Sequence, residues 1–110
     1  MKCITVFYNI ATDEEIMAIL KTVGISEYSK LPRCQGRGKV TGARLDDHIW
    51  PGFNVTLIIV LDDATAPKLM AALQKFRDGP MGSRTGIFAY QTAVEEALAP
   101  PQAKALGVRP

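Results

Sequence analysis

The residues best suited to bind a ligand lie in a glycine-rich stretch between residues 31 and 54. Within it, Gly36-Arg37-Gly38-Lys39 joins flexible backbone N–H groups to two cations, the combination that phosphate or carboxylate binding needs. The spacing is neither that of a P-loop nor that of a dinucleotide-binding turn, so the motif alone fits a basic hairpin loop equally well. Residues 30 to 44 contain five cations and no acid. The cations are Lys30, Arg33, Arg37, Lys39 and Arg44.

A second glycine-rich stretch, Gly79 to Gly86, supplies further candidates: Gly82, Ser83, Arg84 and Thr85. It follows a predicted helix rather than preceding one, so no helix N-terminus is expected there to attract an anion. Two interpretations stay open from the residues alone. The stretch is either a helix C-cap followed by a turn, or a second ligand-binding loop.

The chain's single histidine, His48, allows a different kind of site. Together with Asp46, Asp47 and Cys34 it could ligate a divalent metal, although a lone histidine is more often a surface or hydrogen-bonding residue. Cys34 and His48 could also form a nucleophile and base, but no third group that would orient them is evident. We therefore expect no catalytic residues and no enzymatic activity.

Length and composition limit the function classes. A chain of 110 residues forms one domain, and a net charge of +2 is too small to indicate nucleic-acid binding. The two cysteines have neither metal-type spacing nor a disulfide framework. No signal peptide and no run of membrane-spanning length is apparent, so the sequence predicts a soluble, cytoplasmic protein.

Hydrophobic periodicity predicts four strands and two helices. Thr12 and Glu15 suggest a capping box at the first helix, and Tyr28 and Leu31 are the expected inward anchors of the weak second strand. In chain order the predicted elements are a strand over Lys2 to Ile10, a helix over Asp13 to Val23, a strand over Ile25 to Arg33, a strand over Phe53 to Leu61, a helix from Asp62-Asp63 to Gly79, and a strand over Gly86 to Val94.

Two such strand–helix–strand units predict an α+β, ferredoxin-like (βαβ)2 fold over residues 1–98, with a four-stranded antiparallel sheet and two helices on one face. Residues 99–110 carry prolines and few apolar side chains, so a flexible tail is expected. The strands are apolar on both faces. An uncovered apolar sheet face implies a partner, and a second copy of the chain is the simplest one.

The order of elements and loops resembles the PII-like family, diverged relatives of the PII nitrogen regulators, over Lys2 to Leu98. Gly36-Arg37 leads from the second strand into a long loop at the place where PII proteins have their T-loop. The T-loop-like segment of this chain covers residues 34–52. Asp62-Asp63 follows the third strand. The helix exit Arg77-Asp78-Gly79-Pro80-Met81-Gly82, running into Gly86-Ile87-Phe88, resembles the PII B-loop and its strand.

This resemblance implies a homotrimer with ligand clefts between subunits, a small anionic ligand with an adenine nucleotide (ATP, ADP or AMP) as first candidate, and a partner protein such as a membrane transporter or regulatory target, but no nucleic acid. The chain departs from PII proteins at Ser83, Arg84 and Thr85 and lacks their C-terminal arginines, which favours a reduced or different anionic ligand. The residues implied in ligand binding are Gly36, Arg37, Gly38, Lys39, Gly82, Ser83, Arg84 and Thr85.

Two alternatives use the same fold. A divalent-metal-binding trimer resembling the CutA proteins would place the metal at His48. A small monooxygenase-like enzyme is disfavoured because the predicted strand faces carry no internal histidine or acid.

Overall fold

Residues 1–38, 42–44 and 53–98 are described by the computed structural model of the chain. The helices within these ranges are α1 (Asp13–Val23), α2 (Ala66–Asp78) and α3 (Pro80–Thr85), and a 3-10 turn covers Ile10–Thr12. The strands are β1 (Lys2–Asn9), β2 (Ser29–Cys34), β3 (Gly36–Gly38), β4 (Gly42–Arg44), β5 (Asn54–Leu61) and β6 (Ile87–Ala93).

The main sheet has the order β2-β5-β1-β6, and every neighbouring pair is antiparallel. Alternate residues of the central strands β1 and β5 point to one face and are fully buried there, as period-2 alternation requires. Helices α1 and α2 contact each other and supply Ile16, Leu20, Leu69 and Leu73 to the same core. The predicted α+β, ferredoxin-like arrangement is confirmed.

The first helix has the predicted boundaries for partly unpredicted reasons. Asp13, Glu14 and Glu15 lie in its first turn, where the helix dipole favours acids. It ends at Gly24, whose φ of 92° suits glycine. The predicted capping box is wrong, because the Thr12 hydroxyl donates instead to the carbonyl of Asn9 at 2.9 Å.

The second strand differs from the prediction. It begins at Ser29 rather than Ile25 and extends to Cys34. The expected inward anchors Tyr28 and Leu31 are wrong, since they are 45% and 48% exposed in the single chain. Strand β2 lies at the sheet edge, and its register with β5 shifts between Leu31 and Cys34. That interval contains Pro32, which has no N–H to donate to the sheet.

The second glycine-rich stretch also differs from expectation. Instead of a turn, Pro80 to Thr85 form the short helix α3. Gly82 is buried, and a Cβ at this position would overlap the carbonyl oxygen of Phe76 and lie 2.8 Å from its carbonyl carbon. The absence of a side chain at Gly82 therefore allows α3 to pack directly against the last turns of α2.

The face of the sheet opposite the helices carries an apolar surface. Phe7, Phe88 and Tyr90 form an aromatic cluster with ring centroids 6.0 to 6.4 Å apart. Phe88 is 63% exposed, and Ile58 and Val60 of β5, on the other side of β1, are exposed on the same face. The prediction that both faces of the sheet are apolar is confirmed. No helix in the described part of the chain is long and apolar enough to cross a membrane.

Candidate functional site

Both predicted ligand segments leave the sheet at the same end. Cys34 at the end of β2 pairs with Asn54 at the start of β5, and Asn54 also pairs with Asn9 at the end of β1. Next along the sheet, Tyr8 of β1 pairs with Ile87 at the start of β6. Gly36 follows Cys34 by two residues, and Thr85 precedes Ile87 by two residues. The two segments therefore leave the sheet at the same end of its strands.

The two segments are nevertheless far apart across the width of the sheet. Strands β2 and β6 lie at opposite sides of the four-stranded sheet. Three inter-strand spacings separate them, roughly 14 Å at about 4.8 Å each. The structure of one chain therefore brings the segments to a common end but does not join them into one pocket.

The first segment forms a hairpin rather than an open loop. Gly36 pairs with Arg44, Arg37 with Ala43 and Gly38 with Gly42. Arg37 is exposed, so its guanidinium is accessible to a ligand. Lys39, the fourth predicted residue of this segment, lies outside the described residues, as do 40–41 and 45–52 of the proposed T-loop-like segment.

The base of this hairpin is fixed by contacts with the start of β5. A Cβ on Gly36 would overlap the side-chain amide of Asn54, so Asn54 packs closely over the Gly36 backbone. The Cys34 thiol lies 3.2 Å from the Asn54 carbonyl oxygen and 3.2 Å from the Thr56 hydroxyl oxygen. These short contacts anchor the position from which the hairpin projects.

Two of the five clustered cations have structural roles instead. Arg33 lies over the ring of Phe53, 4.1 Å from its centroid, a cation–π contact. Lys30 Nζ lies 2.9 Å from the Asp13 carboxylate. The charge cluster seen in the sequence is therefore divided in the fold, and Arg37 is a cation of the hairpin whose side chain is exposed.

Asp13 belongs to a network that the sequence did not reveal. It accepts a 2.5 Å hydrogen bond from the hydroxyl of the buried residue Tyr8, as well as the one from Lys30. Burial by itself raises the pKa of Asp13, but the hydrogen bonds from Tyr8 and Lys30 outweigh it and lower the pKa below its ordinary value. Burial, and then the bond to Asp13, raise the pKa of Tyr8 well above its usual range.

The side chains of the second segment bond within their own helix. Ser83 Oγ donates to the Pro80 carbonyl at 3.3 Å, and Arg84 Nε donates to the same oxygen at 3.4 Å. Thr85 Oγ1 donates to the Met81 carbonyl at 2.8 Å. The predicted ligand groups are thus present at the surface of α3, but their donors point toward α3 itself.

The predicted metal residue His48 lies outside the described residues, together with Asp46 and Asp47. Cys34, the remaining member of that group, is described, and its thiol makes the contacts with Asn54 and Thr56. Within the ranges that the structure covers, no three His, Cys, Asp or Glu residues are grouped so that they could hold a metal ion.

Comparison with solved structures gives clear matches. The first is CPII from Thiomonas intermedia K12, a nitrogen regulatory PII-like protein bound to ADP, AMP and bicarbonate, which matches with a TM-score of 0.64 and 16% identity over 86% of this chain and 88% of that one. The apo form of the same protein matches with a TM-score of 0.57 and 15% identity, covering 84% and 89% of the two chains. A Thermus thermophilus protein described as a PII-like signalling protein matches with a TM-score of 0.55 and 18% identity over 83% of each chain.

Comparison by sequence gives no match. No protein-family model and no curated protein matches the chain. The likeness therefore lies in the backbone fold, since identity to the solved PII-like proteins is only 15% to 18%. The chain has the ferredoxin-like fold of the PII-like proteins.

Proposed function

We propose that the protein is a PII-like signalling protein that senses a small anionic ligand, with an adenine nucleotide as the leading candidate. The observation that carries this proposal is the exit of two glycine–cation segments, around Arg37 and around Arg84, from the same end of the sheet. Their positions at opposite sheet edges would let the hairpin of one copy lie beside α3 of a neighbouring copy. The ligand would then bind between subunits.

We propose that this assembly is a homotrimer, as the resemblance to PII proteins implies. Phe88, Tyr90, Ile58 and Val60 are exposed in the single chain on one continuous face of the sheet. Covering such a face stabilises an assembly by roughly 25 cal/mol per Å² of apolar surface removed from water. We infer that the sheet faces of neighbouring copies cover one another and bring the two ligand segments together.

The chemistry of the segments suits an anion. Arg37 and Arg84 are exposed, and Lys39 adds a third cation in the sequence. Each charge-assisted hydrogen bond to a phosphate contributes about 1.5–3 kcal/mol, so a few of them account for micromolar affinity. We assign ligand binding to Gly36, Arg37, Gly38, Lys39, Gly82, Ser83, Arg84 and Thr85.

The bound ligands of the matching structures support the same ligand class. CPII of Thiomonas intermedia binds ADP, AMP and bicarbonate, all of them anions. We propose that residues 1–98 form the sensing domain; the predicted tail, residues 99–110, lies outside the described residues. The protein would act without catalysis in the cytoplasm, by offering its hairpin to a partner protein such as a transporter.

Native mass spectrometry tests both the assembly and the ligand in one measurement. We expect a trimer that gains the mass of up to three molecules of ADP or AMP when either nucleotide is added. A monomer that takes up no nucleotide would contradict the proposal. Zinc binding that the His48→Ala substitution abolishes, without any nucleotide uptake, would favour the CutA-like metal-binding alternative instead.

A further inference from the structure

The helix α3 uses the polar groups that the proposed site needs. The backbone N–H of Ser83 donates to the carbonyl of Gly79 at 3.0 Å, and the N–H of Gly86 donates to that of Gly82 at 2.9 Å. The side chains of Ser83, Arg84 and Thr85 donate to carbonyl groups of the same helix. In this conformation neither of these two N–H groups is available to a phosphate or carboxylate.

This helix is weak in its length, its composition and its N-cap. It has six residues, far fewer than the roughly 12–15 at which isolated helices become marginally stable. Gly82, Ser83 and Thr85 are poor helix formers. Gly79 precedes the helix in an extended conformation, and no side chain caps the helix there. Packing of Gly82 against Phe76 is therefore a principal support of α3, and a modest competing interaction is enough to open it.

We propose that α3 is the closed state of the second ligand segment, and that binding of the anionic ligand unwinds it. Unwinding would release the N–H groups of Ser83 and Gly86 and the guanidinium of Arg84 from their bonds within the segment. This inference rests on the proposed function, since the ligand is the one assigned there. It adds that ligand affinity is set in part by the stability of α3.

The energetic consequence can be measured. When only a fraction of the molecules is competent to bind, the observed dissociation constant equals the intrinsic one divided by that fraction. A substitution that weakens α3 without altering the ligand groups must therefore tighten binding. Met81 suits this purpose because it lies within α3, is exposed and is not among the assigned ligand residues.

The experiment compares ADP binding by the wild type, Met81→Gly and Met81→Ala in the full chain. Glycine lowers helix stability relative to alanine, so Met81→Gly should bind ADP up to about fivefold more tightly than Met81→Ala. Met81→Ala controls for loss of the side chain. Cα chemical shifts of residues 81–85, measured by NMR, should be helical without ADP and lose that signature with ADP.

The outcomes separate the inference from the proposed function. ADP binding with helical shifts retained, and with equal affinity in the two Met81 variants, would overturn this inference and leave the proposed function standing. Absence of ADP binding in all three proteins would overturn both.

Discussion

The hydroxyl of Tyr8 donates a 2.5 Å hydrogen bond to the carboxylate of Asp13, and this bond ties the end of β1 to the start of α1. Lys30 at the start of β2 binds the same carboxylate at 2.9 Å. Three elements of the fold therefore meet at one acid. Because β2 leads directly to Gly36, the network also fixes the strand from which the proposed ligand hairpin projects.

Removing the acid should destabilise the fold. Asp13→Ala leaves the hydroxyl of Tyr8, a residue only 1% exposed, without its acceptor, and a buried unsatisfied donor costs about 1–3 kcal/mol. Urea denaturation should report a loss of that size in the free energy of unfolding. Asp63→Ala is the matched control, because its ion pair with the chain's N-terminus is exposed and screened by solvent, so its loss should change the free energy of unfolding little. Equal losses in the two variants would contradict the role given to the network.

The same pair predicts how stability changes with pH. The pKa of Asp13 is lower in the folded chain than its ordinary 3.8, so its contribution is present above pH 3.8 and is lost as pH falls through the folded value. The pKa of Tyr8 is raised above its ordinary 10.0, so its contribution is present below pH 10.0 and declines as pH rises beyond it. Denaturation of wild type and Asp13→Asn across these ranges should show a weaker acid dependence in the variant. Identical acid profiles would refute the assignment to Asp13.

The sequence predicted the elements that have strong periodicity. The acids of the first turn and Gly24 indicated the start and end of α1, and alternation along β5 indicated a central strand of the sheet. The ferredoxin-like order followed from these elements. The base of the hairpin was not predictable, since Arg33 stacks on Phe53 across a long segment and no local spacing indicates that contact.

The features that the sequence did not predict have specific physical causes. The Tyr8–Asp13–Lys30 network joins residues up to 22 positions apart, whereas Asp13 alone looks like an ordinary helix-dipole acid. Gly79 to Gly86 looked like a loop because glycine, proline and serine are turn formers. There, packing of the buried Gly82 on α2 overrode local propensity. Gly79, which lies between α2 and α3, was the one available sign in the sequence that a second helix could follow the first.

The packing role of Gly82 gives a second stability prediction. Gly82→Ala would place a methyl group against the backbone of Phe76, and such overpacking costs about 1–3 kcal/mol. Thermal denaturation should therefore show a lower Tm for this variant. Gly79→Ala is the control, since Gly79 has a φ of −78° and the nearest atom to an added Cβ is at 3.4 Å. An unchanged Tm in Gly82→Ala would show that α3 is not held by this contact.

The exposed aromatic face predicts how assembly responds to substitution. Phe88→Glu would place a charge within the apolar face that the proposed trimer contact covers, where burying an unpaired charge is strongly unfavourable. Sedimentation velocity should show a trimer for the wild type and a monomer for Phe88→Glu. Lys75→Glu, at an exposed position on α2, should remain trimeric. A wild-type monomer at micromolar concentration would contradict the proposed assembly.

The central claim is that cations of the hairpin bind the anionic part of a small ligand, and calorimetry with ADP and adenosine tests it most directly. We expect micromolar binding of ADP by the wild type, and weaker binding of adenosine because it lacks phosphate. Arg37→Ala should weaken ADP binding roughly tenfold to a hundredfold, the loss of one charge-assisted hydrogen bond, while Lys75→Ala should bind as the wild type does. Equal affinity for ADP in wild type and Arg37→Ala, or no heat with ADP at all, would contradict the account.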